Sequence, residues 1–245
     1  MSLRHSLTII FLGPAGSGKT SLTHKLGEWI TENERLEVGF INLDPAADYL
    51  PYKPDFDVRT YVNAFDLMRK EGLGPNGAIV RAVELMAIKS NEIIKDLQRI
   101  EADVLLVDTP GQSEVFLFRS AGPKIINLIK ELAPTVGVYV TDPTLGAEAS
   151  EAVIVFLMSI ITQLRLGVPT LPVINKVDLG GLDLGQGDVI TIELSSVKER
   201  ILSEGTGLLS ELTYSILNTL IDYLPAARVL KASAKTGFGI GQLFK

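Results

Sequence analysis

Apolar residues in this chain fall into short, nearly unbroken runs separated by longer stretches with helical spacing. The runs are Leu7–Leu12, Val38–Leu43, Val104–Val107, Val136–Val140, Leu171–Ile174 and Arg228–Lys231, each bounded by turn residues. Most do not alternate polar with apolar positions, which is the pattern of strands covered on both faces in a mostly parallel sheet. The helical stretches between them are Lys19–Glu32, Arg59–Lys70, Asn76–Arg99, Glu114–Leu132, Ala147–Leu166 and Leu208–Tyr223, with Pro225 marking the stop of the last. This alternation predicts an α/β layered fold: a mostly parallel sheet with helices on both faces. Two stretches exceed what a crossover needs. Residues 45–100 hold two predicted helices between the second and third strands. Residues 179–206 open on Gly180-Gly181-Leu182-Asp183-Leu184-Gly185-Gln186-Gly187 and continue through Asp188–Ser203. Excursions of this length serve as lids or partner surfaces. The chain therefore reads as one domain, 1–245, with two insertions.

The first apolar run leads into Gly13-Pro14-Ala15-Gly16-Ser17-Gly18-Lys19-Thr20, with Ser21 behind it and a helical stretch following. Strand, G-x-x-x-x-G-K-T, helix is the context in which this spacing binds nucleotide phosphates. Glycines let backbone N–H groups close around phosphate oxygens, and the helix start adds its positive end. Lys19 is expected to reach the β- and γ-phosphates, and the Thr20 hydroxyl to ligate Mg²⁺. The spacing specifies phosphate, not the base.

Later strand ends supply the rest. Val104–Val107 runs into Asp108-Thr109-Pro110-Gly111-Gln112. Asp108, at a strand's carboxyl end, is placed to hold magnesium through water; Gly111 lets its N–H approach the γ-phosphate, and Gln112 can orient the attacking water. Asn175-Lys176-Val177-Asp178 follows the fifth run. A carboxylate at Asp178 can accept from the ring N–H and amino group of guanine together, whereas adenine would leave the acid unpaired. Lys176 can cover the base with its stem, and Ser233-Ala234-Lys235 can offer a backbone N–H to the guanine oxygen. The base this points to is guanine. Asp44, in Asn42-Leu43-Asp44-Pro45-Ala46-Ala47-Asp48, ends a strand expected beside the first. It reads either as assisting the water or the magnesium shell, or as a plain turn cap; Asp48 reads as a cap or surface acid.

Composition narrows the partners. The chain has 245 residues, no Cys, two His and a formal net charge of −6. No disulfide framework or thiolate metal site is possible, and a general nucleic-acid surface is disfavoured by the acidic balance. No apolar run approaches the roughly 20 residues of a membrane span, and the first residues do not read as a signal peptide. A soluble cytoplasmic protein is the expectation.

With Gly74-Pro75-Asn76 in the first insertion and Asp44-Pro45-Ala46 before it, the chain resembles the GPN-loop GTPases over nearly its whole length, Leu7 to Lys235. That resemblance implies GTP hydrolysis to GDP and phosphate with Mg²⁺. It also implies a homodimer whose Gly74-Pro75-Asn76 loop reaches the partner's phosphate site, and protein clients such as RNA polymerase subunits. Pro14 occupies the place where ATPase relatives carry a lysine that crosses the dimer. Asn76 could instead donate its amide to a phosphate oxygen or place water. Arg59, Arg69, Arg81 and Arg119 read as solvated or ion-paired helix residues that could otherwise supply charge. Glu114-Val115-Phe116-Leu117-Phe118-Arg119 reads as a buried helix start, with a switch helix as the other reading. Three functions follow for weighing: a GTPase switch using Lys19, Asp44, Gln112 and Asn76; a GTP-gated assembly factor with incidental turnover; and a phosphotransferase. The last would need an Arg-rich lid, and 179–206 offers only the Lys198-Glu199-Arg200 cluster.

Overall fold

The computed structural model describes residues 5–142, 149–179, 189–193, 199, 207–223 and 226–245. Its strands are β1 (Leu7–Leu12), β2 (Val38–Asn42), β3 (Phe56–Asp57), β4 (Val104–Asp108), β5 (Thr135–Thr141), β6 (Thr170–Ile174), β7 (Val189–Glu193) and β8 (Ala226–Lys231). They form one sheet in the order β3-β2-β4-β1-β5-β6-β8-β7. All neighbours pair in parallel except β7, which closes one edge antiparallel to β8. The helices are α1 (Lys19–Asn33), α2 (Ala64–Glu71), α3 (Pro75–Ile88), α4 (Ser90–Leu97), α5 (Ser113–Phe118), α6 (Ala121–Lys130), α7 (Ala149–Leu166), α8 (Leu208–Tyr223) and α9 (Ile240–Phe244).

The unbroken apolar runs are explained by the two layers they separate. In β1, Ile9 and Phe11 face one way and pack with Leu22, Leu26 and Ile30 of α1 and with Ile240 and Leu243 of α9. Ile10 and Leu12 face the other way, into a cluster with Ala82 and Met86 of α3 and Ile125 and Ile129 of α6. Successive strand residues point to opposite faces, so a strand buried on both must be apolar throughout.

Several elements differ from the sequence reading. The strand ending before Asp44 does not adjoin β1: both edges of β1 are taken, by β4 and β5, and β2 pairs with β4 instead. The predicted Asn76–Arg99 helix divides at Lys89, whose backbone leaves helical values (φ −85°, ψ 7°) and whose carbonyl starts α4. Glu114–Leu132 likewise divides where Arg119 turns extended (φ −84°, ψ 165°). The predicted Arg59–Lys70 helix starts only at Ala64, because the Asn63 side chain caps it and Asp57 caps a separate 3₁₀ turn at Val58–Thr60. Residues 45–100 thus carry three helices and a two-residue strand. The short β3, the edge strand β7 and the terminal α9 lay outside the predicted elements. Pro225, the run 180–187 and the Lys198 and Arg200 positions lie outside the described residues.

Candidate functional site

Five strand ends deliver polar groups to one edge of the sheet. After β1 come residues 13–18, after β2 Asp44, at the end of β4 Asp108, after β6 Asn175 and after β8 Ser233. Carboxyl edges of parallel sheets are where such folds bind ligands.

The phosphate loop is built by its glycines. Gly13 has φ +138°, and a Cβ there would lie 2.0 Å from the carbonyl oxygen of Val140. Gly18 caps α1 in the left-handed region at φ +89°, and a Cβ there would sit 2.4 Å from Nδ2 of Asn175. Only glycine meets both conditions without displacement. Lys19 is buried, and its ammonium donates to the carbonyls of Gly13 (2.8 Å), Pro14 (3.0 Å) and Gly111 (3.5 Å). Burial pulls its pKa below the usual lysine range, against the attraction of Asp108, Asp44 and Glu114. Ser113, which the sequence reading did not single out, fastens the loop to α5. Its hydroxyl accepts from the Gly13 N–H at 2.9 Å and donates to the Gly13 carbonyl.

Asp108 lies 1% exposed. Burial pushes its carboxyl up to about 6, against the hydroxyls of Thr20 and Tyr52 and the charge of Lys19. Its Oδ2 accepts from the Tyr52 hydroxyl at 3.0 Å, while its Oδ1 is buried without a hydrogen-bond partner. Tyr52 is the other residue that sequence reasoning missed; burial and the neighbouring Asp108 hold its phenol far above the ordinary range and so neutral. Among the described residues no group of three His, Cys, Asp or Glu could enclose a metal. A hard cation that takes most of its ligands from phosphate and water, as Mg²⁺ does, nevertheless fits Thr20 beside an orphaned carboxylate oxygen.

Asp44 is the turn cap of one of its two sequence readings and also reaches the loop after β4. Its Oδ1 accepts from Ala46 N at 2.9 Å, a turn cap, and its Oδ2 from Gly111 N at 3.0 Å. Burial raises its pKa, opposed by those two N–H groups and by Lys19 and Arg59. The Gly111 N–H, expected to be open toward a γ-phosphate, is therefore engaged, because the buried carboxylate needs donors and Gly111 is one within reach. Gly74 serves as the N-cap position of α3 with Pro75 in its first turn. Asn76 is exposed, and its Oδ1 accepts from Gln112 Nε2 at 3.0 Å within the same chain. The four arginines all pair with acids of this chain: Arg59 with Asp57, Arg69 with Asp66, Arg81 with Glu71 and Glu84, and Arg119 with Glu84.

The base side is equally connected. Buried Asn175 donates to Ser17 O at 3.0 Å and accepts from Ala234 N at 3.1 Å, bridging the phosphate loop to the β8 turn. Of the backbone N–H groups of Ser233-Ala234-Lys235, one of them expected to face a guanine oxygen, that of Ala234 is engaged by Asn175. Ser233 donates to Asp178 Oδ1 at 2.6 Å, and Lys176, at φ +61°, donates to Gly16 O. A cavity of about 410 Å³ runs along Gly18, Ser21, Asn175, Lys176, Asp178 and Lys235. His24, Lys25 and Pro51 also line it. Among the described residues no helix is long and apolar enough to cross a membrane.

A family model described as "Conserved hypothetical ATP binding protein" matches residues 11–245. The chain is 35% identical over 239 residues to the GPN-loop GTPase PAB0955 of Pyrococcus abyssi, covering 97% of this chain and 94% of that one. It is 30% identical over 244 residues to GPN-loop GTPase 1 of Dictyostelium discoideum, covering 99% of this chain and 61% of that longer relative. The solved structure of PAB0955, described as a GTPase in apo form, superposes with a TM-score of 0.84 at 34% identity over 99% of this chain and 96% of that one. A phosphate loop joined through Asn175 to a carboxylate-bearing base cavity, and this likeness along the whole chain, place the protein in the GPN-loop GTPase family.

Proposed function

We propose that this protein binds GTP and hydrolyses it to GDP and phosphate with Mg²⁺, and that it works as a homodimeric switch. The observation that carries the nucleotide reading is the Asn175 bridge, which makes one continuous site from Ser17 to Ala234 with Asp178 at its base end. Lys19 would exchange its loop carbonyls for phosphate oxygens. Thr20 and Asp108 would hold Mg²⁺, which when bound screens the phosphate charge. Gln112 would orient the attacking water. A γ-phosphate reaching Gly111 would take over the N–H that Asp44 accepts, freeing a buried carboxylate beside that water. The contact between Gly111 and Asp44 is thus where the nucleotide state would be sensed.

Support for a dimer comes from what the chain does with its own cations. Arg59, Arg69, Arg81 and Arg119 are paired in place, so an exposed neutral donor, Asn76, is the better complement to Lys19 in a partner's site. Phe118, 51% exposed directly after the Gln112 segment, and Leu164, 76% exposed, add apolar surface at the two helices joined by Arg165. Client assembly, with RNA polymerase subunits as the client the family points to, rests on the resemblance alone, and a cytoplasmic location on the sequence reading.

The test is phosphate release from GTP by mixed variants after subunit exchange is verified. Lys19→Ala keeps Asn76, and Asn76→Ala keeps the phosphate loop. Each alone should be nearly inactive. Random pairing makes half the dimers hybrid with one complete site each, so the mixture should recover roughly a quarter of wild-type activity. No recovery despite exchange would confine Asn76 to its own chain's Gln112 and refute action across the dimer.

A further inference from the structure

We infer that Tyr52 is a positioning residue for Asp108, fixing one carboxylate oxygen so that the other is held toward the divalent cation; this rests on the magnesium reading above. Tyr52 lies in the connection between β2 and β3, 56 residues from its partner in sequence. It is 7% exposed, with its ring stacked on Phe40 of β2 at 4.7 Å between centroids and 17° between planes. Its other ring neighbour is His24 of α1, at 6.5 Å. The ring is therefore seated between the sheet and the helix that carries Thr20, and only the hydroxyl reaches the site.

The two oxygens of Asp108 are treated differently. Oδ2 receives a neutral O–H donor at 3.0 Å, and Oδ1 is buried with no partner. A buried carboxylate oxygen left unpaired is costly, and such groups persist where a ligand uses them. The donor on the opposite oxygen sets the rotation of the carboxylate about its bond to Cβ, the arrangement by which outer-shell partners orient metal-binding side chains. A second cation in the place of Tyr52 would compete with the metal for the same charge; a phenol donates without doing so. Pro51, immediately before it, lines the nucleotide cavity beside Gly18 and Ser21. The same short segment therefore touches both the base side and the metal side of the site.

Tyr52→Phe removes the hydroxyl and keeps the ring on Phe40. The readout is the Mg²⁺ concentration that half-maximally slows release of a fluorescent GDP analogue, measured beside release in EDTA and beside thermal melting. The expected result is a rise of about tenfold in that concentration, within the range that loss of an outer-shell partner produces, with EDTA release within twofold of wild type. Should Tyr52→Phe fail to fold, Phe40→Leu loosens the ring while keeping the hydroxyl, and a rise in the same quantity is expected. An unchanged Mg²⁺ dependence, with or without a lower melting temperature, overturns the assignment. A decreased half-saturating concentration overturns it as well, since the hydroxyl would then be competing with the ion. A wild-type chain indifferent to Mg²⁺ would sink the metal reading and the assignment together, whereas a responsive wild type beside an indifferent variant sinks the assignment alone.

Discussion

Replacing Asp178 with Asn tests the base assignment at a single atom. Ser233 is fully buried and donates to Asp178 Oδ1 at 2.6 Å. In Asp178→Asn that hydroxyl keeps the amide oxygen in the Oδ1 position and places the amide NH₂ where Oδ2 stood. Guanine presents two donors on this edge, its ring N–H and its amino group, and the carboxylate can accept both. The amide accepts one and turns a donor on the other. Hydrogen bonds to charged groups contribute about 1.5–3 kcal/mol each. Losing one and weakening the second should cost about 3–4 kcal/mol, or two to three orders of magnitude in affinity for GTP. Xanthine carries a carbonyl in place of the amino group and so matches the amide. Its triphosphate should bind the variant within about tenfold of the wild-type affinity for GTP, on the same free-energy scale. Calorimetric titration of both proteins with GTP and XTP reads the exchange directly. Retention of GTP affinity within about threefold, well short of the shift worked out above, would show that Asp178 does not face the base. Equal loss of both nucleotides would make it a support for Ser233 only. Either result refutes the reasoning.

Two further substitutions probe the frame around the site. Ser113→Ala leaves the Gly13 N–H without its side-chain partner and the Gly13 carbonyl with Lys19 alone; urea unfolding should report a loss of about 1–3 kcal/mol, and a change under about 0.5 kcal/mol would mean that backbone relaxation or water satisfies Gly13 instead. Arg59→Gln removes the charged partner of Asp57, whose carboxyl burial would raise but the bonds from Arg59 and Asn42 together hold below the usual range. An acid with a depressed folded-state pKa gives stability that is present above its unfolded value, near 4, and lost as pH falls through its folded value. The wild type should therefore exceed the variant by about 1–2 kcal/mol at pH 7, with the gap closing toward pH 3, and denaturant midpoints giving the same gap at both pH values would rule out the ion pair as its source.

What could be read from the sequence is what acts over short chain distances. Leu7–Leu12 had to be a two-faced strand because no residue in it is charged, and the structure returns the same bounds. Leu208–Tyr223 likewise matches to the residue. The helix breaks were harder. Apolar spacing continues through Lys89 and Arg119, so only the backbone angles there reveal that Asn76–Arg99 and Glu114–Leu132 are each two helices. Strand order was illegible in principle: nothing local in Val38–Leu43 says that it will pair with β4 rather than β1. β3 is two residues long, too short for any period to register.

The site divides along the same line, and for a physical reason. Residues that would touch nucleotide, such as Lys19, Thr20, Asp108, Asn175 and Asp178, sit in motifs because phosphate and base geometry fix their spacing within one strand–loop unit. Tyr52 and Ser113 have no such constraint. Each is an ordinary residue in its own neighbourhood, and each gains its role from a partner far off in sequence: Asp108 for Tyr52, and Gly13, 100 residues away, for Ser113. Asp44 stands between the two classes. Its bond to Ala46 is a local turn cap that any Asp before Pro suggests, whereas its bond to Gly111 spans 67 residues and exists only once β2 lies beside β4. The corrected strand order is thus what carries Asp44 beyond its local cap to a contact with Gly111. By pairing with β4, β2 ends next to the loop that follows Asp108, close enough for the Asp44 carboxylate to take the Gly111 N–H that a γ-phosphate would otherwise claim.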